Sequence, residues 1–204
     1  GVYLKTLCRN REAGKVAALT FDDGPDGNTE KVLDILQKHN VKACFFCIGS
    51  KIAGNEEVIR RINADGHLIG NHSYSHSGKF PLYSSSRMQK DIEKCSEEIE
   101  KITDEKVRLF RPPFGVTNPT IAKVIKRFGF ITIGWNIRTL DTCIKSKKKI
   151  EKRIERKLSP GSVILLHDNL AASPATLAAT LELLQRNGYR CVRIDELFNL
   201  NLES

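Results

Sequence analysis

Residues 16–25, VAALTFDDGP, are the stretch that decides the fold. The first six carry no charge, and five of them are apolar. An unbroken apolar run, in place of alternating apolar and polar residues, is typical of a parallel strand buried on both faces. Two carboxylates and a Gly-Pro turn follow it directly. The stretch therefore predicts a central strand with reactive side chains at its carboxyl end.

The same order, a short apolar run and then a helical pattern, recurs along the chain. The predicted strands are residues 16–21, 41–48, 67–70, 108–110, 130–136, 162–166 and 190–193. The predicted helices are residues 55–64, 84–102, 119–128, 147–157 and 173–187, together with one that Asn28 caps and that runs to residue 39. Gly66, Gly129 and Gly188 stand where three of these helices end. The alternation predicts a single α/β domain, a closed or nearly closed barrel of about seven parallel strands. An open doubly wound sheet is the alternative.

Length and composition indicate a soluble globular chain. The 204 residues suit one domain, and 40% hydrophobic with 28% charged residues is ordinary for this class. No apolar run approaches the ~20 residues of a membrane span. The chain opens with Gly1 and not with Met, so we expect any signal peptide or anchor to lie upstream.

The chain carries a net charge of +9, and much of it falls in residues 145–157, KSKKKIEKRIERK. Ile150, Ile154 and Leu158 recur every four residues there, which predicts a helix with one buried stripe and a basic outer face. A solvated face is one interpretation; attraction to an acidic partner is the other. No zinc-finger spacing, phosphate-binding loop or basic–aromatic alternation is present, so no nucleic-acid partner is predicted.

The six cysteines are too sparse for a disulfide scaffold. Cys44 and Cys47 form a C-x-x-C inside an apolar run. We interpret both as small apolar side chains of a buried strand and not as a redox or metal pair. Cysteine usage therefore leaves the cellular compartment open.

The reactive side chains follow the predicted strands. In chain order they are Asp22, Asp23, His72, His76, Arg111, Asp141, His167 and Asp168. Parallel strands place their carboxyl ends at one rim, where sites of α/β proteins lie. The pattern predicts one site that draws on five strand ends.

Two histidines four residues apart, His72 and His76, can reach one metal ion. An isolated H-x3-H also fits a polar loop. Adding a carboxylate, such as Asp23, makes a two-histidine, one-carboxylate set that leaves coordination positions open for water and substrate. We therefore favour a divalent metal site over a structural loop.

The remaining rim residues suit acid–base chemistry. Of the adjacent carboxylates, Asp23 can bind metal while Asp22 stays free as a base, although Asp-Gly-Pro also fits a plain turn. Arg111 is a candidate partner of the free carboxylate, and the two prolines after it stiffen the loop. His167 can be a core residue or a proton donor that Asp141 holds protonated.

Four motifs together resemble one known family. TFDDGP at 20–25, NHSYSH at 71–76, RPPFG at 111–115 and ILLHD at 164–168 are similar to those of polysaccharide deacetylases, the NodB-homology domains of carbohydrate esterase family 4. The resemblance covers residues 15–198, with an N-terminal extension at 1–14 and a tail at 199–204. It implies a distorted (β/α) barrel, one divalent metal ion and removal of acetyl groups from N-acetylglucosamine-type sugars.

The resemblance also implies roles for individual residues. By this resemblance, Asp22 is the catalytic base with Arg111 as its partner, and the metal ligands are Asp23, His72 and His76. Phe114 is expected to offer its N–H to the oxyanion, at a position where the family more often has Tyr, and Leu165 to line the acetyl pocket. His167 is the expected general acid, tuned by Asp141. Zinc is the usual ion, with Co²⁺, Ni²⁺ or Mn²⁺ as alternatives.

One family motif, D-x-x-D-W, departs from its usual form. The first acid is Arg138 here, and the groove tryptophan is Thr142. The tuning carboxylate is kept as Asp141, so the chemistry is expected to survive while preference for a long polymer is in doubt. Trp135 could stack on a sugar, but packing in the core is the expected role.

The resulting expectation is a monomeric N-deacetylase of peptidoglycan, chitooligosaccharide or exopolysaccharide, located outside the cytoplasm or at the cell envelope. Two alternatives stay open. One is an amidase or esterase of a non-polymeric acylated substrate. The other is a metal-containing glycan-binding domain without turnover.

Overall fold

The computed structural model describes residues 3–202, which form nine strands and seven helices. The strands are β1 (Thr6–Leu7), β2 (Val16–Asp22), β3 (Cys44–Cys47), β4 (Leu68–Asn71), β5 (Leu109–Phe110), β6 (Ile131–Ile133), β7 (Ile137–Arg138), β8 (Ser162–His167) and β9 (Arg190–Cys191). The helices are α1 (Gly27–Lys38), α2 (Glu56–Ala64), α3 (Ser85–Thr103), α4 (Pro119–Phe128), α5 (Lys147–Lys157), α6 (Ser173–Arg186) and α7 (Ile194–Phe198).

All nine strands belong to one sheet, and every strand pair in it is parallel. The order is β1-β6-β5-β4-β3-β2-β8-β7, with β9 beside the start of β2. The sheet curls into a half-barrel with helices around it. The prediction of a single-domain, distorted (β/α) barrel is confirmed. Within residues 3–202 the barrel stays open, because β1 pairs only with β6 and β7 only with β8.

Strand β2 lies inside this sheet between β3 and β8, and both of its faces are buried. Leu19 and Phe21 pack into the layer between the sheet and the surrounding helices, whereas Ala18 packs into a second cluster with Phe46 and Val163. Two buried faces explain the continuous apolar run. The register with β8 places Asp22 opposite His167, so two rim residues become neighbours through the sheet itself.

The strand count and one helix cap differ from the predictions. Strands β1 and β7 and helix α7 were not predicted, since two-residue strands and a five-residue helix contain no measurable period. The predicted cap Asn28 is wrong. Asp26 caps α1, its carboxylate accepting the Asn28 N–H at 2.7 Å, because the chain enters the helix before Asn28.

Other predictions about the chain are confirmed. Gly66, Gly129 and Gly188 all have left-handed backbones where helices end. Cys44 and Cys47 lie buried in β3, and burial raises the pKa of both thiols. Between residues 3 and 202 no helix is long and apolar enough to cross a membrane.

The predicted boundaries at residues 14/15 and 198/199 stay predictions. The N-terminal segment contributes β1 to the sheet. Residues 1–2 and 203–204, which belong to the predicted extension and tail, lie outside the described residues.

A buried histidine at the start of β4 gives a stability prediction. His67 is buried, its Nδ1 accepts the Ala43 N–H at 3.1 Å, and burial lowers its pKa from 6.5 to about 4. As pH falls from about 6.5 to about 4, the unfolded chain therefore binds a proton that the folded chain does not. The free energy of unfolding should fall by as much as roughly 3 kcal/mol across this window.

His67→Asn keeps an acceptor for the Ala43 N–H, because its Oδ1 is attached to Cγ as Nδ1 is, and it removes the titration. Urea unfolding of both proteins at pH 7 and pH 4.5, with chelator throughout, should show a smaller loss of stability on acidification in the variant. An equal loss in both proteins would contradict the role of His67.

Candidate active site

The loops at the carboxyl edge of the half-barrel hold several residues in left-handed backbone conformations. These residues are Asp23 (φ 78°), Ser73 (φ 67°), His76 (φ 44°), Phe114 (φ 60°) and Leu140 (φ 62°). Residues other than glycine rarely adopt this backbone conformation, and the strain that it causes is found mostly at functional sites. The strained positions follow β2, β4, β5 and β7, the same strand ends that carry the reactive side chains.

A buried ion pair joins Asp22 to Arg111. The Nη1 of Arg111 donates to Asp22 Oδ1 at 2.6 Å and to Thr20 Oγ1 at 2.9 Å. Its Nε and Nη2 donate to the carbonyls of Ile133 and Gly134 at 3.0 and 2.8 Å. The guanidinium is thus bonded on all sides, and its charge offsets that of the buried carboxylate. Asp22 Oδ2 takes no part in this pair and faces His72, whose Nε2 is 3.7 Å away.

Asp23, His72 and His76 form a group that could hold a metal ion, since their ligand atoms lie within 4.8 Å of one another. Asp23 Oδ1 is 3.6 Å from His72 Nε2 and 3.4 Å from His76 Nε2. The Nδ1 of His72 lies 2.7 Å from the Arg111 carbonyl, to which it donates, so Nε2 keeps its lone pair. Burial and the nearby His72 lower the pKa of His76, which favours the neutral imidazole that metal binding needs.

His167 is held by Asp141. One carboxylate oxygen accepts from Nδ1 at 2.7 Å and the other from the His167 backbone N–H at 2.8 Å. Burial by itself would lower the pKa of His167, but the hydrogen bond and charge of Asp141, together with the charges of Asp22 and Asp23, outweigh it and raise the pKa. The opposite nitrogen, Nε2, is 4.0 Å from Asp23 Oδ2. The imidazolium form is thus favoured beside the candidate metal group.

These groups open on one cleft of about 210 Å³. Its lining is Asp22, Asp23, His72, His76, Phe114, Gly115, Trp135, Arg138, Thr142, Leu165 and His167. Phe114 is 50% exposed, and the centroid of its ring lies 4.7 Å from that of His76. Among residues 3–202 no acceptor bonds the Phe114 N–H. The structure thus brings together every site residue predicted from the sequence except Arg111, Asp141 and Asp168, which lie behind the cleft. Arg111 and Asp141 orient residues that line it.

Trp135 both packs against its neighbours and faces the cleft. It packs beside the cluster of Ala18 and Phe46, and its ring lies so close to Gly115 that a Cβ there would overlap it. The expectation that it packs in the core therefore describes only part of its position.

Several supporting residues were not predicted. Asn71 Oδ1 accepts the Ser73 N–H at 2.8 Å, and Asp91 Oδ1 accepts the Tyr74 N–H at 2.8 Å, so both brace the loop between the two ligand histidines. Lys51 donates to the Asp23 carbonyl at 2.7 Å. Asn71 stands in the NHSYSH motif and could have been found there, whereas Lys51 and Asp91 carry no sequence signal.

Asp168 is a further buried carboxylate behind the site. Its Oδ2 accepts the Thr29 hydroxyl at 2.7 Å, and its backbone N–H donates to the Asp22 carbonyl at 3.4 Å. Burial raises its pKa to about 7. It therefore links β8 to the start of α1, beside the turn at Asp22 and Asp23. The sequence pattern places Asp168 among the reactive residues but predicts no role for it.

The chain is similar to known proteins along most of its length. The chain is 34% identical over 188 residues to the peptidoglycan-N-acetylmuramic acid deacetylase PdaA of Bacillus subtilis (strain 168), covering 90% of this chain and 71% of PdaA. The peptidoglycan-N-acetylglucosamine deacetylase PgdA of Listeria monocytogenes is longer: the chain is 34% identical to it over 193 residues, which cover 94% of this chain and 41% of PgdA.

Two solved structures are similar throughout. The Bc1960 peptidoglycan N-acetylglucosamine deacetylase, in complex with 4-naphthalen-1-yl-N-oxidanyl-benzamide, superposes with a TM-score of 0.91 at 31% identity, covering 100% of this chain and 96% of that one. BA3943 of Bacillus anthracis, a pseudoenzyme of the CE4 family, gives a TM-score of 0.84 at 30% identity, covering 95% and 68%. Residues 9–133, more than half of the chain, match the family described as polysaccharide deacetylase. With its parallel half-barrel, this chain belongs to the polysaccharide deacetylase family.

Proposed function

We propose that the chain is a metal-dependent hydrolase that removes N-acetyl groups from N-acetylhexosamine units of a cell-envelope glycan. One observation carries this proposal: a buried charge pair, a three-ligand metal group and a carboxylate-bound histidine meet at a single cleft of about 210 Å³. Family membership supports hydrolysis of an amide, and the similar proteins that are named as peptidoglycan deacetylases support an envelope glycan.

The donor set of Asp23, His72 and His76 fits one divalent ion. Two imidazole nitrogens and one carboxylate suit zinc first, with cobalt, nickel or manganese as alternatives. Such an ion, when bound, lowers the pKa of water and polarises the amide carbonyl. Metal dependence is general in this family.

Asp22 is placed to act as the general base. Arg111 holds Oδ1, while Oδ2 faces the metal group at 3.7 Å from His72 Nε2. A water molecule between Oδ2 and an acetamide carbonyl would give its proton to this oxygen as it attacks. The arginine keeps the carboxylate oriented throughout, because its other donors are bonded to the backbone.

Phe114 and Leu165 also line the cleft and suit the acetyl group. The Phe114 N–H is free to donate to the oxygen on which negative charge develops. Leu165 lines the cleft as an apolar contact for the methyl group. The half-exposed Phe114 ring offers a flat apolar surface for a sugar, in a groove where Thr142 replaces the family's tryptophan.

His167 is placed to act as the general acid. Asp141 occupies its Nδ1 and favours the protonated ring, so Nε2–H is the donor that faces the cleft. Protonation of the departing sugar amine by this atom completes the cleavage into a free amine and acetate.

A glycan-binding role without turnover is the second candidate, because BA3943, which is 30% identical, is a pseudoenzyme. The complete set of base, acid and metal-group residues in one cleft argues against it. A non-polymeric acylated substrate is the third candidate, and the loss of the groove tryptophan favours it.

The direct test is acetate release from N-acetylglucosamine oligomers and peptidoglycan by the purified protein. Release should disappear on chelation and return with Zn²⁺. Simple acetyl esters serve as the comparison, since faster release from them than from any glycan would favour the non-polymeric substrate. A protein that binds metal and releases acetate from no substrate would refute the proposed activity.

Substitution of the general acid and substitution of a metal ligand should affect turnover and metal content differently. His167→Ala should lower turnover by about 100-fold or more while metal content stays near that of the parent. His72→Ala should lose both turnover and metal, because it removes a ligand. Steady-state acetate release and elemental analysis check this. Unchanged turnover in His167→Ala would remove His167 from the mechanism.

Asp141→Asn tests how the acid is tuned. An acid must be protonated to act, so activity falls as pH rises through the pKa of His167. Because Asp141 raises that pKa, its neutralisation should move the alkaline limb of the kcat profile to lower pH. Profiles of parent and variant with the same metal loading measure the shift. An alkaline limb that stays in place would contradict the role of Asp141.

A further inference from the structure

The surplus positive charge of the chain is concentrated beside the cleft. Residues 145–157 contain eight basic and two acidic side chains, in a protein with a net charge of +9. Helix α5 turns Ile150 and Ile154 into the core and the charged side chains outward. We call the outward set the basic face; its exposed members are Lys145, Lys147, Lys148, Lys149, Lys152, Arg156 and Lys157.

The charges of the basic face are not neutralised by the protein. Across residues 3–202, none of its members takes part in an ion pair. Two exposed arginines elsewhere do form ion pairs, Arg60 with Glu57 and Arg190 with Glu196. A patch of unpaired like charges weakens the fold slightly through repulsion, so it fits a surface that meets an anionic partner.

The basic face is connected to the cleft. Arg138 lines the cleft at the end of β7, and its carbonyl accepts a hydrogen bond from Arg153 Nε of α5 at 2.6 Å. The loop between β7 and α5 carries Asp141 and Thr142, so only four residues separate the cleft residue Thr142 from Lys147, the first residue of α5.

The chemistry of the face favours an acidic polymer over a lipid surface. The large exposed apolar side chains of residues 3–202 are Tyr3, Leu82, Phe114 and Val116, and none lies on α5. The isoleucines of α5 are in the core, so the helix has no apolar side with which to enter a bilayer. No aromatic side chain accompanies the lysines to stack on bases.

We propose that the basic face binds carboxylate groups carried by the same glycan strand whose N-acetyl sugar enters the cleft, so that the chain prefers an acidic glycan to a neutral one. The activity measurements that test this inference rest on the proposed function. Exposed ion pairs are individually weak and are screened by salt. The face should therefore act through substrate capture, lowering KM for an acidic glycan at low ionic strength and leaving kcat unchanged.

The test uses a triple variant with a matched control. Lys147→Gln, Lys148→Gln and Lys149→Gln together remove three exposed charges from the basic face. The control removes three exposed charges from α4, at the other end of the sheet, by Lys123→Gln, Lys126→Gln and Arg127→Gln. Acetate release is measured on neutral N-acetylchitooligosaccharide and on glycan strands of similar length with free muramyl carboxylates, at low and high salt.

For the acidic strand at low salt, KM should rise about five-fold or more in the α5 variant, in line with loss of several screened contacts. Its kcat and its KM for the neutral oligomer should match those of the parent, and the α4 control should behave as the parent does. Equal effects in both variants, or a parent with no preference for the acidic strand, would overturn the proposal.

A binding measurement distinguishes failure of this proposal from failure of the proposed function. Binding of the carboxylated strand to chelator-treated protein needs no turnover, and it should weaken with salt and with the α5 substitutions. Binding that persists without activity would refute the hydrolase alone. If the α5 variant instead loses binding only to vesicles of anionic phospholipid, and keeps binding to the acidic strand, the face is a membrane contact and the proposal fails.

Discussion

The buried ion pair between Asp22 and Arg111 is the interaction on which the rest of the structure depends. A buried guanidinium is tolerated only when its donors are satisfied. Here they bond to side chains at the end of β2 and to the carbonyls of Ile133, the last residue of β6, and Gly134. The same residue accepts the Nδ1–H of His72 with its own carbonyl. Arg111 therefore ties three strand ends together: its side chain orients the Asp22 carboxylate, and its carbonyl orients the His72 imidazole.

A common arrangement holds the reactive groups in place. Asp22, His72 and His167 each use one polar atom for a structural hydrogen bond and leave the other facing the cleft. A side chain held at one end has little freedom left to lose when it meets a ligand, which is the physical meaning of a preorganised site. The left-handed backbones at Asp23 and His76 belong to the same arrangement, because the sheet and the surrounding loops must hold them there.

How much could be predicted depended on whether the signal was local. Helices α4 and α5 have the predicted bounds, since long amphipathic segments with clear ends carry their own period. The two-residue strands β1 and β7 carry none, and they exist because neighbouring strands offer them partners. Among the site residues, strand-end position and residue type pointed to the cleft. The hydrogen bonds of Lys51 and Asp91 to the site loops could not be predicted, because both residues lie outside the sequence motifs.

By itself, the sequence determined the alternation of buried strands and amphipathic helices, and the presence of metal-binding and acid–base residue types after the strands. Both follow from hydrophobic periodicity and from the fact that parallel strands share one carboxyl edge. Only the tertiary structure decided that the sheet stops as a half-barrel, that Asp22 stands opposite His167, and that Arg138 opens onto the cleft beside α5. Those outcomes depend on strand order and register, which are set by contacts between residues far apart in the chain.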